Sequence, residues 1–152
     1  MKSKIFITGA AGFIGFHSAK KFLEKGIRVH GFDSIDNYYD IKLKKARLEI
    51  LKKYKNFTFT KANLENERKL SKCIIKFRPQ IIIHLAAQAG VRYSIKEPET
   101  YLNSNILGTF NVLKAANKIK IKQLIIGSRS SVYGANKKFP FQEIDKTDNQ
   151  LS

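Results

Sequence analysis

Short apolar runs recur along this chain, and between them lie longer stretches whose apolar residues return at helical spacing. Lys4-Ile5-Phe6-Ile7 is the first run and predicts a short buried strand. Phe16 to Lys25 follows as a helix, closed by Gly26. Ile27 to Phe32 reads as a second strand. Ile41 to Lys53 reads as an amphipathic helix with Leu43, Ala46, Leu48, Ile50 and Leu51 as its apolar positions. Phe57 to Thr60 alternates as a third strand, and Leu64 to Phe77 forms a third helix with Cys73 on its buried side. Pro79 breaks that helix. Ile81 to Leu85 is a continuous apolar run, as expected of a parallel strand covered on both faces. Pro98 opens a long helix through Asn117, carrying Tyr101, Leu102, Ile106, Phe110 and Leu113. Gln123 to Ile126 is the fifth strand, and from Ser128 onward the chain reads as loop.

Strands alternating with helices predict βαβ units with right-handed crossovers. The expected architecture is α/β, a Rossmann-type doubly wound parallel sheet of order 3-2-1-4-5, with ligand at the carboxyl ends of the strands. No repeat, low-complexity segment or linker interrupts it, so residues 1–152 read as one domain.

Gly9, Gly12 and Gly15 stand where the first strand turns into the first helix. Glycines there let backbone approach a pyrophosphate, and the free N–H groups of the first helical turn point at it. The first gap is one residue longer than in the usual dinucleotide fingerprint. The second strand ends in Asp33, 18 residues after Gly15. A carboxylate at that place accepts hydrogen bonds from an adenosine ribose and repels a 2′-phosphate, which favours NAD over NADP.

Composition narrows the setting. Hydrophobic content of 43% fits a globular fold. The single cysteine, Cys73, excludes an internal disulfide and fits a reducing compartment. No apolar run approaches the ~20 residues of a membrane span. Met1-Lys2-Ser3 leads straight into a strand, which leaves a cytoplasmic protein as the expectation. The net charge is +17, from 29 Lys+Arg against 12 Asp+Glu. The lysines are dispersed, with no arginine-rich block and no interleaved aromatics, so solvated helix faces are favoured over a nucleic-acid surface. His17, His30 and His84 suggest no metal site.

Several segments taken together resemble one family. They are Gly9 to Gly15, Asp33 with Asn37-Tyr38-Tyr39-Asp40, the run His84 to Ser94, Asn105-Ile106-Leu107-Gly108-Thr109, and Ser131-Val132-Tyr133-Gly134. The chain resembles the extended short-chain dehydrogenase/reductases, the NAD-dependent nucleotide-sugar epimerases and dehydratases. The Ala-Gln-Ala-Gly-Val-Arg-Tyr-Ser run is most similar to the UDP-glucuronate 4-epimerases of surface-polysaccharide pathways. Family members are longer, so the resemblance implies the amino-terminal half alone, an NAD-binding domain incomplete at its carboxyl end and without the substrate domain.

The resemblance also implies roles at matched positions. Gly9, Gly12 and Gly15, with the backbone of Phe13 and Ile14, would hold the pyrophosphate. Asp33 would hold the adenosine ribose, and Asn63 and Leu64 would border the adenine. Leu85, Ala86 and Ala87 would line the cleft, with Gln88 near the nicotinamide ribose and Asn105 facing it from the long helix. His84 reads as a satisfied histidine at a strand end. Arg92, in a loop leaving the fourth strand, would recognise an acidic sugar or a phosphate, or be a solvated loop arginine.

Two positions depart from the family pattern. The family's acid/base is a Tyr-x-x-x-Lys pair, and none occurs beyond Tyr133, which itself belongs to the Val-Tyr-Gly turn. Arg129 stands where the family has a Ser or Thr hydroxyl, and an arginine accepts no hydrogen bond. Ser130 offers a hydroxyl one residue away. The implied reaction is transient oxidation of a UDP-sugar at C4 by bound NAD, in a parent enzyme that pairs as a homodimer. This chain by itself is expected to be inactive. A non-catalytic NAD-binding module and a basic nucleic-acid-binding domain are the alternative readings.

Overall fold

In the computed structural model, residues 3–38 and 40–148 are described. Met1, Lys2, Tyr39 and residues 149–152 lie outside them. Five strands alternate with helices: β1 (Lys4–Thr8), α1 (Phe13–Glu24), β2 (Arg28–Asp33), α2 (Ile41–Lys52), β3 (Phe57–Lys61), α3 (Glu67–Phe77), β4 (Ile81–His84) and β5 (Gln123–Ile126). Between β4 and β5 lie α4 (Val91–Lys96), α5 (Pro98–Tyr101), a π-helical segment (Leu102–Leu107) and α6 (Gly108–Asn117). The sheet is parallel throughout, in the order β3-β2-β1-β4-β5. The expected α/β architecture and strand order are therefore observed.

Strand side chains alternate, so each face builds its own core. Ile5, Ile7, Val29 and Ile83 point to the α1–α2 side, where they meet Phe16, Ala19, Leu23, Leu48 and Leu51. Phe6, Phe32 and Ile82 point to the other side and meet Leu70, Ile74, Val112, Ala115 and Ala116. Burying each Val, Leu, Ile or Phe side chain among them stabilises the fold by about 1.5–3 kcal/mol. The switch point falls between β1 and β4, which register Ile5 against Ile81 and Thr8 against His84. There the two sets of helices diverge and open a crevice.

Several boundaries differ from the sequence expectation. α1 begins at Phe13, because Gly12 already has the extended geometry of an N-cap. α3 begins at Glu67, where Asn66 accepts from the Lys69 N–H and caps it, so Leu64 lies in the preceding turn. In α2 the buried positions are Lys44, Leu48 and Leu51, while Leu43 and Ile50 face solvent. Lys44 is drawn in because its ammonium meets the Asp36 carboxylate at 2.9 Å and the Asp36 carbonyl at 3.1 Å. Cys73 is only half-buried, with its sulfur 3.4 Å from the Thr60 hydroxyl. The long helix expected from Pro98 is broken, and a further helix, α4, precedes it. The segment after Ser128 contains a 3₁₀ turn, Ser130–Tyr133.

Among the described residues β5 pairs with β4 alone, and its Ile125 and Ile126 stay 42% and 48% exposed. Among the described residues no helix is long and apolar enough to cross a membrane.

Candidate functional site

The glycine turn is folded back on itself. Gly9 sits at φ +71, and its N–H donates to the Phe32 carbonyl at 2.8 Å. The Gly12 N–H returns to the Gly9 carbonyl at 3.0 Å. A Cβ on Gly15 would lie 2.0 Å from the Gly9 oxygen, and one on Gly9 would lie 2.9 Å from the Ala86 nitrogen. Neither position tolerates a side chain. The helix that leaves the turn has no side-chain cap and no acidic residue in its first turn. Its opening N–H groups, from Phe13 onward, have no intrahelical acceptor and gather partial positive charge. Phe13 and Ile14 are themselves exposed at this helix start.

Asp33 stands beside this turn at the end of β2 and is 7% exposed. Its Oδ2 accepts from the Ala11 N–H at 3.0 Å and its Oδ1 from the Ile35 N–H at 2.9 Å. These bonds lock the carboxylate, yet each oxygen retains a further acceptor site for a ligand hydroxyl. The turn at Leu64 is pinned from α6. Asn111, 3% exposed, donates to the Leu64 carbonyl at 3.1 Å, and Gly108 lets the helix approach so closely that a Cβ would meet Leu64 at 2.6 Å. Asn63 is exposed at the rim and donates to Glu65 at 3.1 Å.

On the other side of the switch point, Thr8 orders the chain after β4. Its hydroxyl accepts from the Leu85 and Ala86 N–H groups, each at 3.1 Å. Its own proton is then left for His84 Nδ1, 2.7 Å away. That assigns the other ring proton to Nε2, which donates to the Thr109 hydroxyl at 3.0 Å. Burial holds the His84 pKa down to about 4, so the ring is neutral. The satisfied histidine expected from the sequence is observed.

Beyond Ala87 the chain is shaped by the π-helical segment. Asn105 lies on it; its side chain accepts from the Gln88 N–H at 2.7 Å and donates to the Gln88 carbonyl at 3.0 Å. An inserted residue of this kind re-aims side chains and recurs at functional sites. Next, Gly90 at φ +99 starts α4. Arg92 is thus in the first turn of a helix, not in a loop. It is exposed and lines a shallow groove with Tyr38, Tyr93 and Lys96. Tyr38 and Tyr93 lie 5.0 Å apart, and Tyr93 and Tyr101 6.4 Å. The Tyr101 hydroxyl sits against the Ala89 carbonyl at 2.7 Å and against that of Gly90. Its pKa is raised by desolvation and by neighbouring Tyr38, while the Gln88 hydrogen bond and the Arg129 charge act the other way.

After β5, the Gly127 N–H donates to the His84 carbonyl at 2.9 Å, which keeps the following loop beside the β4 end. Arg129, Ser130, Tyr133 and Phe141 line a second groove there, with Glu143. Two described Tyr–Lys pairs have the i, i+4 spacing, Tyr38 with Lys42 and Tyr133 with Lys137. Neither shares a helix. Tyr38 precedes the Asp40 cap of α2, and Gly134 at φ +49 turns the chain after Tyr133, whose ring stacks on Phe141 at 4.6 Å.

Residues 6–150 match the family model described as GDP-mannose 4,6 dehydratase. The chain belongs to this family. Protein CapI of Staphylococcus aureus is 51% identical over 149 residues, which are 98% of this chain and 44% of that protein. A probable UDP-glucuronate 4-epimerase of Rhizobium meliloti is 45% identical over the same shares. Among solved structures, the UDP-glucuronic acid 4-epimerase of Bacillus cereus, in complex with UDP-glucuronic acid and NAD, superposes with a TM-score of 0.81 at 35% identity. That match covers 89% of this chain and 43% of the other. The chain therefore spans less than half the length of these relatives.

In this family member the structure adds groups that sequence reading missed. Arg47 of α2 reaches the Ala11 carbonyl at 3.4 Å and lies over the Phe13 ring at 5.8 Å, a cation at the mouth of the glycine turn. Only the helical phase of α2 aims it there, and residue type alone does not separate it from the other basic residues. Thr8 and Tyr101, which set the path of residues 85–90, likewise carry no motif.

Proposed function

We propose that this chain seats NAD across the carboxyl edge of its sheet, as the cofactor-binding domain of a UDP-glucuronate 4-epimerase. The observation that carries the reading is the Gly9–Gly15 turn, closed to side chains, with an uncapped helix start beside the fixed Asp33 carboxylate. The names of the relatives and the NAD in the Bacillus cereus complex support it. Bound NAD would supply a reversible hydride acceptor for C4 of the sugar. The Phe13 and Ile14 N–H groups and Arg47 would hold the pyrophosphate. Asp33 would accept from the ribose hydroxyls, Asn63 and Leu64 would border the adenine, and Leu85 to Gln88 with Asn105 would shape the other end. Arg92 and Ser130 would meet the anionic UDP-sugar. The substrate domain lies in the additional length of the relatives, and we place the protein in the cytoplasm.

No Tyr–Lys pair shares a helix face among the described residues, and Arg129 accepts no hydrogen bond. We therefore expect the chain to bind NAD without turning over sugar. Calorimetric titration of the purified protein with NAD and NADP tests the first part. Saturable NAD binding, much weaker for NADP, is expected, and no binding of NAD refutes the reading. Conversion of UDP-glucuronate to its C4 epimer, followed by NMR, would refute the second part.

A further inference from the structure

The two ends of the crevice are electrostatically unlike. Asp33 marks one end, the end that takes an adenosine ribose in a doubly wound sheet. A dinucleotide whose pyrophosphate lies on the glycine turn must then run its second nucleoside toward β4 and β5. At that end the structure collects Gln88, Asn105, Tyr101 and the loop after Gly127. The Arg129 charge is felt at the Tyr101 hydroxyl, and no carboxylate is among the groups acting there. The Arg129 side chain makes no ion pair or hydrogen bond within the described residues. Glu143, its neighbour along the groove, is not bonded to it.

We infer that Arg129 makes this site select the reduced over the oxidised dinucleotide. The argument rests on the dinucleotide reading above. The two forms share adenosine, pyrophosphate and both riboses, and differ by one positive charge on the nicotinamide ring. An unpaired guanidinium on the loop that the Gly127–His84 bond keeps at this end of the crevice opposes the oxidised form and leaves the neutral reduced ring untouched. A serine or threonine in its place carries no such bias. The ring and the guanidinium are both near solvent, so the effect is moderate and weakens with salt.

The test is calorimetric titration of the purified chain with NAD and with NADH, for the wild type, Arg129→Ser and Arg129→Lys. The read-out is the ratio of the two dissociation constants, which cancels whatever a substitution does to the shared contacts. The ratio should favour NADH in the wild type, persist in Arg129→Lys and fall by about fivefold in Arg129→Ser. It should also shrink in the wild type as ionic strength rises. A ratio unchanged in Arg129→Ser, or indifferent to salt, overturns the inference while leaving the dinucleotide reading intact. Failure of the folded wild type to bind either form overturns both.

Discussion

Acid should unfold this protein through two histidines before its carboxylates titrate. His84 is wedged between Thr8 and Thr109, and His30 bonds Thr58 and Thr60 while its ring stacks on Phe6 at 5.1 Å. Burial holds both pKa values at about 4, against 6.5 for the free side chain. The unfolded chain therefore binds more protons than the folded one through this window. The stabilisation is complete above about pH 6.5 and is lost as the pH falls toward 4. At about 1.36 kcal/mol per pK unit, each histidine contributes about 3 kcal/mol in all, and about 2.5 kcal/mol is gone by about pH 4.5. Together they remove about 5 kcal/mol, as large as the whole stability of many domains. The carboxylates act lower. Asp36, where burial is outweighed by bonds from Lys44, Ser34 and Tyr38, and Glu67, bonded by Lys114, both have lowered pKa values. Their contribution is lost as the pH falls from the ordinary carboxylate range through their lowered pKa values, below the window of the histidines. Urea unfolding of the wild type, His30→Gln, His84→Gln and the double variant, between about pH 7 and about pH 4.5, gives the slope for each. Each single change should remove about half of the acid loss, whatever its offset at neutral pH. A double variant as acid-sensitive as the wild type refutes the argument.

Three further outcomes follow from the site. Gly15→Ala forces a methyl against the Gly9 carbonyl, so the turn must open; thermal melts should show a loss of at least about 1–3 kcal/mol, with NAD binding abolished in a titration. Asp33→Ala orphans the Ala11 and Ile35 N–H groups, which costs about 1–3 kcal/mol for each, and NAD affinity should fall with it. Asn111→Ala strands the buried Leu64 carbonyl and should cost about 1–3 kcal/mol in urea melts.

Much of this molecule is legible in its sequence because the signals are local. The alternation of apolar runs with amphipathic stretches determines the elements, and the handedness of βαβ crossovers then leaves the order β3-β2-β1-β4-β5. Gly9, Gly15 and Asp33 are readable for the same reason: a turn closed to any side chain admits only glycine, and the carboxylate follows at a fixed distance in the chain. The region from Gln88 to Leu107 is different. The sequence suits one long helix from Pro98 and none before it, but Gly90 packs so tightly under the Tyr38 hydroxyl that a Cβ would lie 2.2 Å from it, and Tyr101 holds the Ala89 and Gly90 carbonyls. These contacts come from distant parts of the chain, and they start α4 early and leave the π-helical segment that turns Asn105 toward Gln88. Lys44 and Arg47 make the same point in α2. Periodicity marks an amphipathic helix there, but Asp36 and the glycine turn decide its rotation, burying a lysine and leaving Leu43 and Ile50 in solvent. Sequence alone determined the glycine turn and the Asp33 carboxylate beside it. Tertiary packing decided which charges face that turn, because helix phase and loop path depend on partners that lie far away along the chain.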